Sequence, residues 1–515
     1  MLPSAHAHLS PLRYRPSVNA PTRWGHPRAL STLFYTELWE RFSFYGMRGL
    51  LVLYMTTSQA QGGLGFDLKH AAALYGLYSA LVYLACLPGG WLADRFLGSE
   101  RATFWGGLLI LLGHLAMAWP AVRGLYPAMA LLVCGTGLLK PSVSGMVGQL
   151  YAADDPRRDS GYSLYYMGIN LGAFLAPLVC GWLALSAPVR DRLGALGLPP
   201  SLAWHAAFGV AAAGMAFGLW VFVRGRADFP AASARPAQPP NPADWRRLRW
   251  AASLATGTIA LLGAAIVSGA LDIATLSDLF GSALLVLVGG FFVWALGSRH
   301  WTANERRDLR LIVVLFLGAV VFWALFEQGS STLTLFAEHD TDRYLPWLGY
   351  DFPATWFHSV NPLLIILGAP LFAWGWLRLG PRNPAAGTKF LLGLALASAG
   401  FAVLMVAARF ADTGIKVSPA WLIATYALHS VGELCLSPVG LSAMSRLAPA
   451  RISGLTMGVW FLAASVGNYL GGRVAGLYEN FTRAELFMAV SGAGMVAVVV
   501  LAFLFRWLGP RRLEN

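Results

Sequence analysis

Seven ionisable side chains lie where the surrounding sequence is apolar: Glu37, Glu40, Arg41, Arg48, Lys140, Glu327 and Glu433. Charge at membrane depth is costly, so such groups usually pair and line a water-filled cavity or an ion path. Three cations against four carboxylates form a nearly balanced buried set. Making or breaking such a pair changes whether a carboxylate holds a proton, which is the chemistry of a proton-coupled carrier. Four of the seven fall in one stretch, Glu37-Leu-Trp-Glu40-Arg41-Phe42-Ser43-Phe44-Tyr45-Gly46-Met47-Arg48. At about 100° per residue these charges share an arc of roughly 100°, with Leu38, Phe42 and Met47 pointing elsewhere. The competing reading, charges snorkelling from a helix end, is weakened by the apolar residues that run on to Met55. Lys140, in Gly135-Thr-Gly-Leu-Leu-Lys140-Pro141, also has apolar sequence on both sides and sits too deep to snorkel.

The elements that hold these groups follow from composition. Of 515 residues, 57% are apolar and only 12% charged, about half the charge of an average soluble chain. That excludes a soluble enzyme, a disordered chain and a disulfide scaffold. With about 20 residues needed per crossing, spans fall at 33–57, 70–92, 102–120, 126–150, 161–186 and 201–223, then 250–271 and 278–297. Six more follow at 311–337, 355–377, 388–409, 419–443, 453–475 and 485–507, fourteen in all. The reading is an all-α polytopic membrane protein. It has a tail at 1–30, a six-helix bundle at 31–223, a linker and two-helix hairpin at 224–310, a second bundle at 311–507 and a tail at 508–515. Most Lys and Arg lie in the tails and alternate loops, and eight lie in the loops opposite, which places both termini in the cytosol. Beyond the span ends only Arg41, Arg48, Lys140 and Arg473 remain, and Arg473, near an outer helix end, reads as snorkelling.

Other classes find little support. The net charge of +13 resides mostly in short loops and sets topology, so no nucleic-acid partner is expected. Cys86, Cys134, Cys180 and Cys435 lie in apolar runs without repeated spacing, and the ten histidines show no metal-ligand spacing. No metal, cofactor or enzymatic nucleophile is expected. The first 30 residues lack the apolar core of a signal peptide and read as a cytosolic tail.

Residues 37–46 resemble the Glu-x-x-Glu-Arg-Phe-x-Tyr-Tyr-Gly motif of the proton-dependent oligopeptide transporter (POT) family, a branch of the major facilitator superfamily. They match at every fixed position except Phe44, which replaces the first Tyr. Gly89-Gly90-Trp91-Leu92-Ala93-Asp94-Arg95 resembles the superfamily loop between helices two and three, where Asp94 and Arg95 can contact neighbouring helix ends. Tyr165 to Gly172, with Asn170, is similar to the family's fifth helix. Phe322 to Ser331 resembles the seventh, Asn361-Pro362-Leu363 the eighth, Gly432 to Gly440 the tenth, and Trp460 with Gly467-Asn468 the eleventh. Bacterial members also carry an extra hairpin between the halves, here 250–297.

The resemblance implies a major facilitator fold, two six-helix bundles with a hairpin between them. It also implies a monomer in the cytoplasmic membrane that imports di- and tripeptides by alternating access, driven by inward protons. A nearby alternative on the same scaffold is a carrier of nitrate or a modified amino acid. A peptide is a zwitterion, so its site needs cations at one end and a carboxylate at the other. The resemblance puts Arg48 and Lys140 at the peptide carboxylate and Glu433 at the ammonium. Asn170, Asn361 and Ser437 would help, and Tyr45, Tyr83, Trp323 and Trp460 would form the walls. Glu37 and Glu40 beside Arg41 would carry the proton, and Glu327 would pair with Arg48 across the halves as an outer gate. His429, four residues before Glu433, reads as a packing or hydrogen-bonding group.

Overall fold

A computed structural model describes residues 22–23, 25–119, 124–152, 155–236, 239–298, 301–449 and 453–508. Most of the tail read at 1–30, and nearly all of that read at 508–515, lie outside the described residues. The first bundle consists of α1 (Arg28–Thr56), α2 and α3 (Leu68–Leu84, Cys86–Leu92), α4 (Ser99–Ala118), α5 (Leu125–Gln149), α6 (Arg158–Leu185) and α8 (Leu202–Arg224). A short α7 (Ala187–Ala195) lies before α8. Helices α9 (Pro242–Val267) and α10 (Ile273–Gly297) form the hairpin. The second bundle holds α11 and α12 (Ala303–Phe326, Thr332–His339), α13 (Val360–Leu379), α14 (Ala386–Ala411), α15 (Ala420–Leu447), α16 (Ser453–Ala475) and α17 (Arg483–Leu508). Twelve of these segments are long and apolar enough to cross a membrane, and α1, laden with charge, and α16 bring the described residues to fourteen. An even number of crossings puts the start of α1 and the end of α17 on one face, called the terminal face below; the opposite face is the far face.

Prolines interrupt the helices beside the site. Pro88 has no N–H for the Leu84 carbonyl, and α2 gives way to α3 at that point. Pro141 follows Lys140 inside α5, Pro177 lies in α6 and Pro438 in α15. The reading of 311–337 as one span is modified: after Phe326 the chain makes a 3₁₀ turn over Glu327–Ser330 before α12. Broken backbone at this depth persists only where its polar groups find partners. Here the Gly329 carbonyl accepts from the Thr334 hydroxyl at 2.8 Å and the Tyr426 hydroxyl at 3.0 Å. Gln328 donates to the Gly471 carbonyl of α16 at 3.1 Å.

The halves meet chiefly on the far-face side. A methyl on Gly76 of α2 would lie 3.0 Å from the Cα of Gly472 on α16, so glycine at both positions permits this backbone approach. Trp356 donates to the Leu178 carbonyl at 3.2 Å and Ser359 to that of Phe174 at 2.7 Å, both across the seam. On the terminal face the linker packs against the loop after α3. Arg95 pairs with Asp244 at 3.5 Å, and the rings of Phe96 and Trp245 lie 4.9 Å apart.

Candidate functional site

Helices α1, α2, α5 and α6 of the first half and α11, α13, α15 and α16 of the second enclose a cavity of about 300 Å³. Its lining brings together Glu37, Arg41, Tyr45, Arg48, Tyr83, Lys140, Asn170, Trp323, Glu327, Asn361, Glu433 and Trp460. Two other residues singled out from the sequence do not line it. Glu40 sits behind Arg41, fully buried. Ser437 is one turn beyond Glu433, its hydroxyl buried without a partner among the described residues.

Most of the charge in this region is satisfied within the protein. Arg41 forms a forked hydrogen bond with Glu40, one arm at 2.6 Å, and its Nε lies 3.3 Å from Glu37 Oε1. The i, i+4 spacing of Glu37 and Arg41 on α1 brings that second carboxylate into reach. Arg48 pairs across the seam with Glu327 and also donates to the Tyr75 hydroxyl at 2.9 Å and Asn468 at 3.3 Å. Phe44 lies between the two guanidiniums, with Arg41 Cζ 4.8 Å and Arg48 Cζ 5.7 Å from its ring centre. Aromatic character alone serves that contact, which accounts for a Phe at this position.

Two charges are left over. Lys140 Nζ lies 4.3 Å over the Tyr83 ring, and no carboxylate among the described residues is in salt-bridge range of it. Glu433 accepts from Asn361 Nδ2 at 3.0 Å, and no Lys or Arg among the described residues pairs with it. The two belong to opposite halves and face the same cavity. Trp323 adds an indole N–H with no protein partner among the described residues. Apart from Glu37 Oε2, which has no partner among the described residues and belongs to the Arg41 cluster, the groups left over are one cation, one anion and one neutral donor.

The structure adds groups that the sequence did not single out as site residues. His358 lines the cavity and meets the Thr334 hydroxyl at 2.7 Å, and Tyr166 and Tyr426 line it as well. His358 stands in a 3₁₀ turn (Ala354–Ser359) just before α13, so helical periodicity gives no clue to its direction. Tyr75 lies on α2, where nothing in the spacing marks it as a partner for Arg48. His429 lines the cavity too, and its Nε2 donates to the Ala397 carbonyl at 3.0 Å. Arg473 does not simply snorkel: it pairs with Asp278 of the hairpin at 2.8 Å.

Known proteins resemble the chain along most of its length. The model of the POT family matches residues 100–492. The uncharacterized transporter YclF of Bacillus subtilis is 40% identical over 93% of this chain and 92% of its own length. A di-/tripeptide transporter of Lactococcus lactis subsp. cremoris is 36% identical over 93% of this chain and 95% of its own. A crystal structure of a peptide transporter POT in complex with sulfate superposes with a TM-score of 0.87 at 41% identity, covering 96% of this chain and 98% of that one. The two bundles with a hairpin between them therefore represent the major facilitator fold, and this chain belongs to the POT family of membrane transporters.

Proposed function

We propose that this protein is a proton-coupled symporter that imports di- and tripeptides across the cytoplasmic membrane, working as a monomer with both termini in the cytosol. The observation that carries the reading is the unmatched pair on opposite walls of one cavity, Lys140 and Glu433. Buried charge without a partner is unfavourable, and a zwitterion supplies both partners at once. The peptide carboxylate goes to Lys140 and the ammonium to Glu433, which Asn361 orients. Arg48 joins the carboxylate when it leaves Glu327. Trp323 offers its free N–H to the peptide backbone, while Tyr45, Tyr83 and Trp460 tolerate varied side chains. The POT relative from Lactococcus lactis bears the same substrate class in its name.

Proton coupling uses the remaining groups. Arg41 faces two carboxylates with one positive charge, so one of Glu37 and Glu40 can take a proton without leaving the guanidinium unpaired. The Arg48–Glu327 pair spans the halves, so opening the far side must break it, and protonation of Glu327 lowers the cost. The far face is then the outer one, consistent with the Lys and Arg bias of the opposite loops. The test is dialanine uptake into proteoliposomes under an inward acid gradient. Accumulation abolished by a protonophore supports the reading. Exchange without accumulation refutes the coupling, and absence of peptide movement in folded protein refutes the substrate class.

A further inference from the structure

Helix α10 runs along the seam between the two halves. Its buried residues Ile273, Ser277, Gly281, Leu284 and Val288 recur every three or four positions, so a single stripe faces inward. Near the far face that stripe meets α16. A methyl on Gly281 would overlap the Tyr469 ring, so only glycine admits the ring here. Beside that ring, Asp278 forms an ion pair with Arg473 at 2.8 Å. On the other side, Asp272 caps α10, accepting from the Thr275 N–H at 2.6 Å. On this side α10 packs against α2 of the first half. The opposite end of the linker is fastened to the first half through Arg226 and Glu100 at 2.6 Å and through Arg95 and Asp244. None of these groups takes part in the carrier chemistry set out above.

We propose that α10 is a strap across the outer seam, packed on α2 of the first half and holding α16 of the second through Asp278 and the close approach at Gly281, so that the hairpin favours the state with the outer entrance shut. Asp278 is a positioning residue: it acts on α16 and never touches substrate. When the halves rock apart at the outer face, α2 and α16 separate and α10 cannot follow both. One of its two contacts is then given up. Half-exposed ion pairs are individually weak, which suits a contact made and broken in every cycle. The inference rests on alternating access, but its test needs no peptide.

Spin labels at Ala195→Cys and Lys416→Cys, exposed positions on opposite halves at the far face, report the outer separation once the four native cysteines are replaced. In the lipid-embedded full chain, the Asp278→Asn variant is expected to raise the ratio of long to short distances about two- to tenfold. Gly281→Leu, which evicts Tyr469 without altering charge, is expected to shift it the same way. Exchanging the partners, Asp278→Arg with Arg473→Asp, is expected to restore the original ratio, which a merely structural role for Asp278 does not predict. An unchanged distribution in the charge and Gly281 variants overturns the strap, and failure of the exchange to restore it overturns the role of Asp278. A distance shift in protein that moves no peptide leaves the strap standing and refutes only the peptide reading.

Discussion

On α1, Arg41 is held by two carboxylates of its own helix, whereas Arg48, two turns further on, is held by a carboxylate of the other half. The first arrangement is indifferent to how the halves sit; the second exists only while they meet on the far side. Among the described lining residues the second half supplies Glu327 and Glu433 and no Lys or Arg, while the first supplies Arg41, Arg48 and Lys140 with Glu37. The contrast separates three roles in the proposed cycle. A pair within a helix can store a proton through every conformation, a pair across the seam reports and controls closure, and the unpaired charges await a ligand. Resting charge matched to the substrate thus emerges from what the protein leaves unsatisfied.

The comparison can be broken most severely at the seam. Arg48→Ala leaves Glu327 buried without its cation, a change worth about 10²-fold or more when one partner of a buried pair is removed. Initial uptake per folded protein is expected to fall by about that factor, with partial recovery in Arg48→Lys, which keeps the charge and loses the fork. Glu40→Gln is the matching cut within α1. Gradient-driven accumulation is expected to fall to the level of equilibration, while peptide exchange stays within about twofold of the parent, because the seam pair and the ligand charges are untouched. Retained accumulation in that variant would remove Glu40 from the coupling step. Chain length tests the unpaired charges: each residue adds up to about 3.5 Å between the termini. Tetra-alanine is therefore expected to compete for dialanine uptake at least about tenfold less well than trialanine. The smallest effect is at Phe44. Phe44→Leu removes the ring shared by both arginines and is expected to slow uptake about three- to tenfold, whereas Phe44→Tyr stays within about twofold.

Sequence made the buried charges legible because each sits in an apolar run where only pairing or a cavity explains it. Lys140, Glu327 and Glu433 are visible for that reason, and the bundle organisation follows from span length alone. Direction within a turn is harder to read. Ser437 belongs to the same motif as Glu433 but does not line the cavity, because four residues carry it about 6 Å further along the helix axis. The break after Phe326 is hidden because Gly329, Ser330 and Ser331 are all compatible with a continuous membrane helix; what stabilises the break is Tyr426, almost a hundred residues away. Asp278, at the edge of an apolar run, gains meaning only when α16 is laid beside it.

The central claim, that Lys140 and Glu433 hold opposite ends of one peptide, is tested most directly by blocking those ends one at a time. Competition against dialanine uptake is measured for N-acetyl-dialanine and dialanine amide in the parent, Glu433→Gln and Lys140→Gln proteins. The parent is expected to disfavour each blocked peptide by about tenfold or more, the cost of leaving a buried charge without its partner. Glu433→Gln is expected to reduce only the discrimination against N-acetyl-dialanine to within about twofold, and Lys140→Gln only that against the amide. A Glu433→Gln protein that still rejects the acetylated peptide as the parent does would contradict the account.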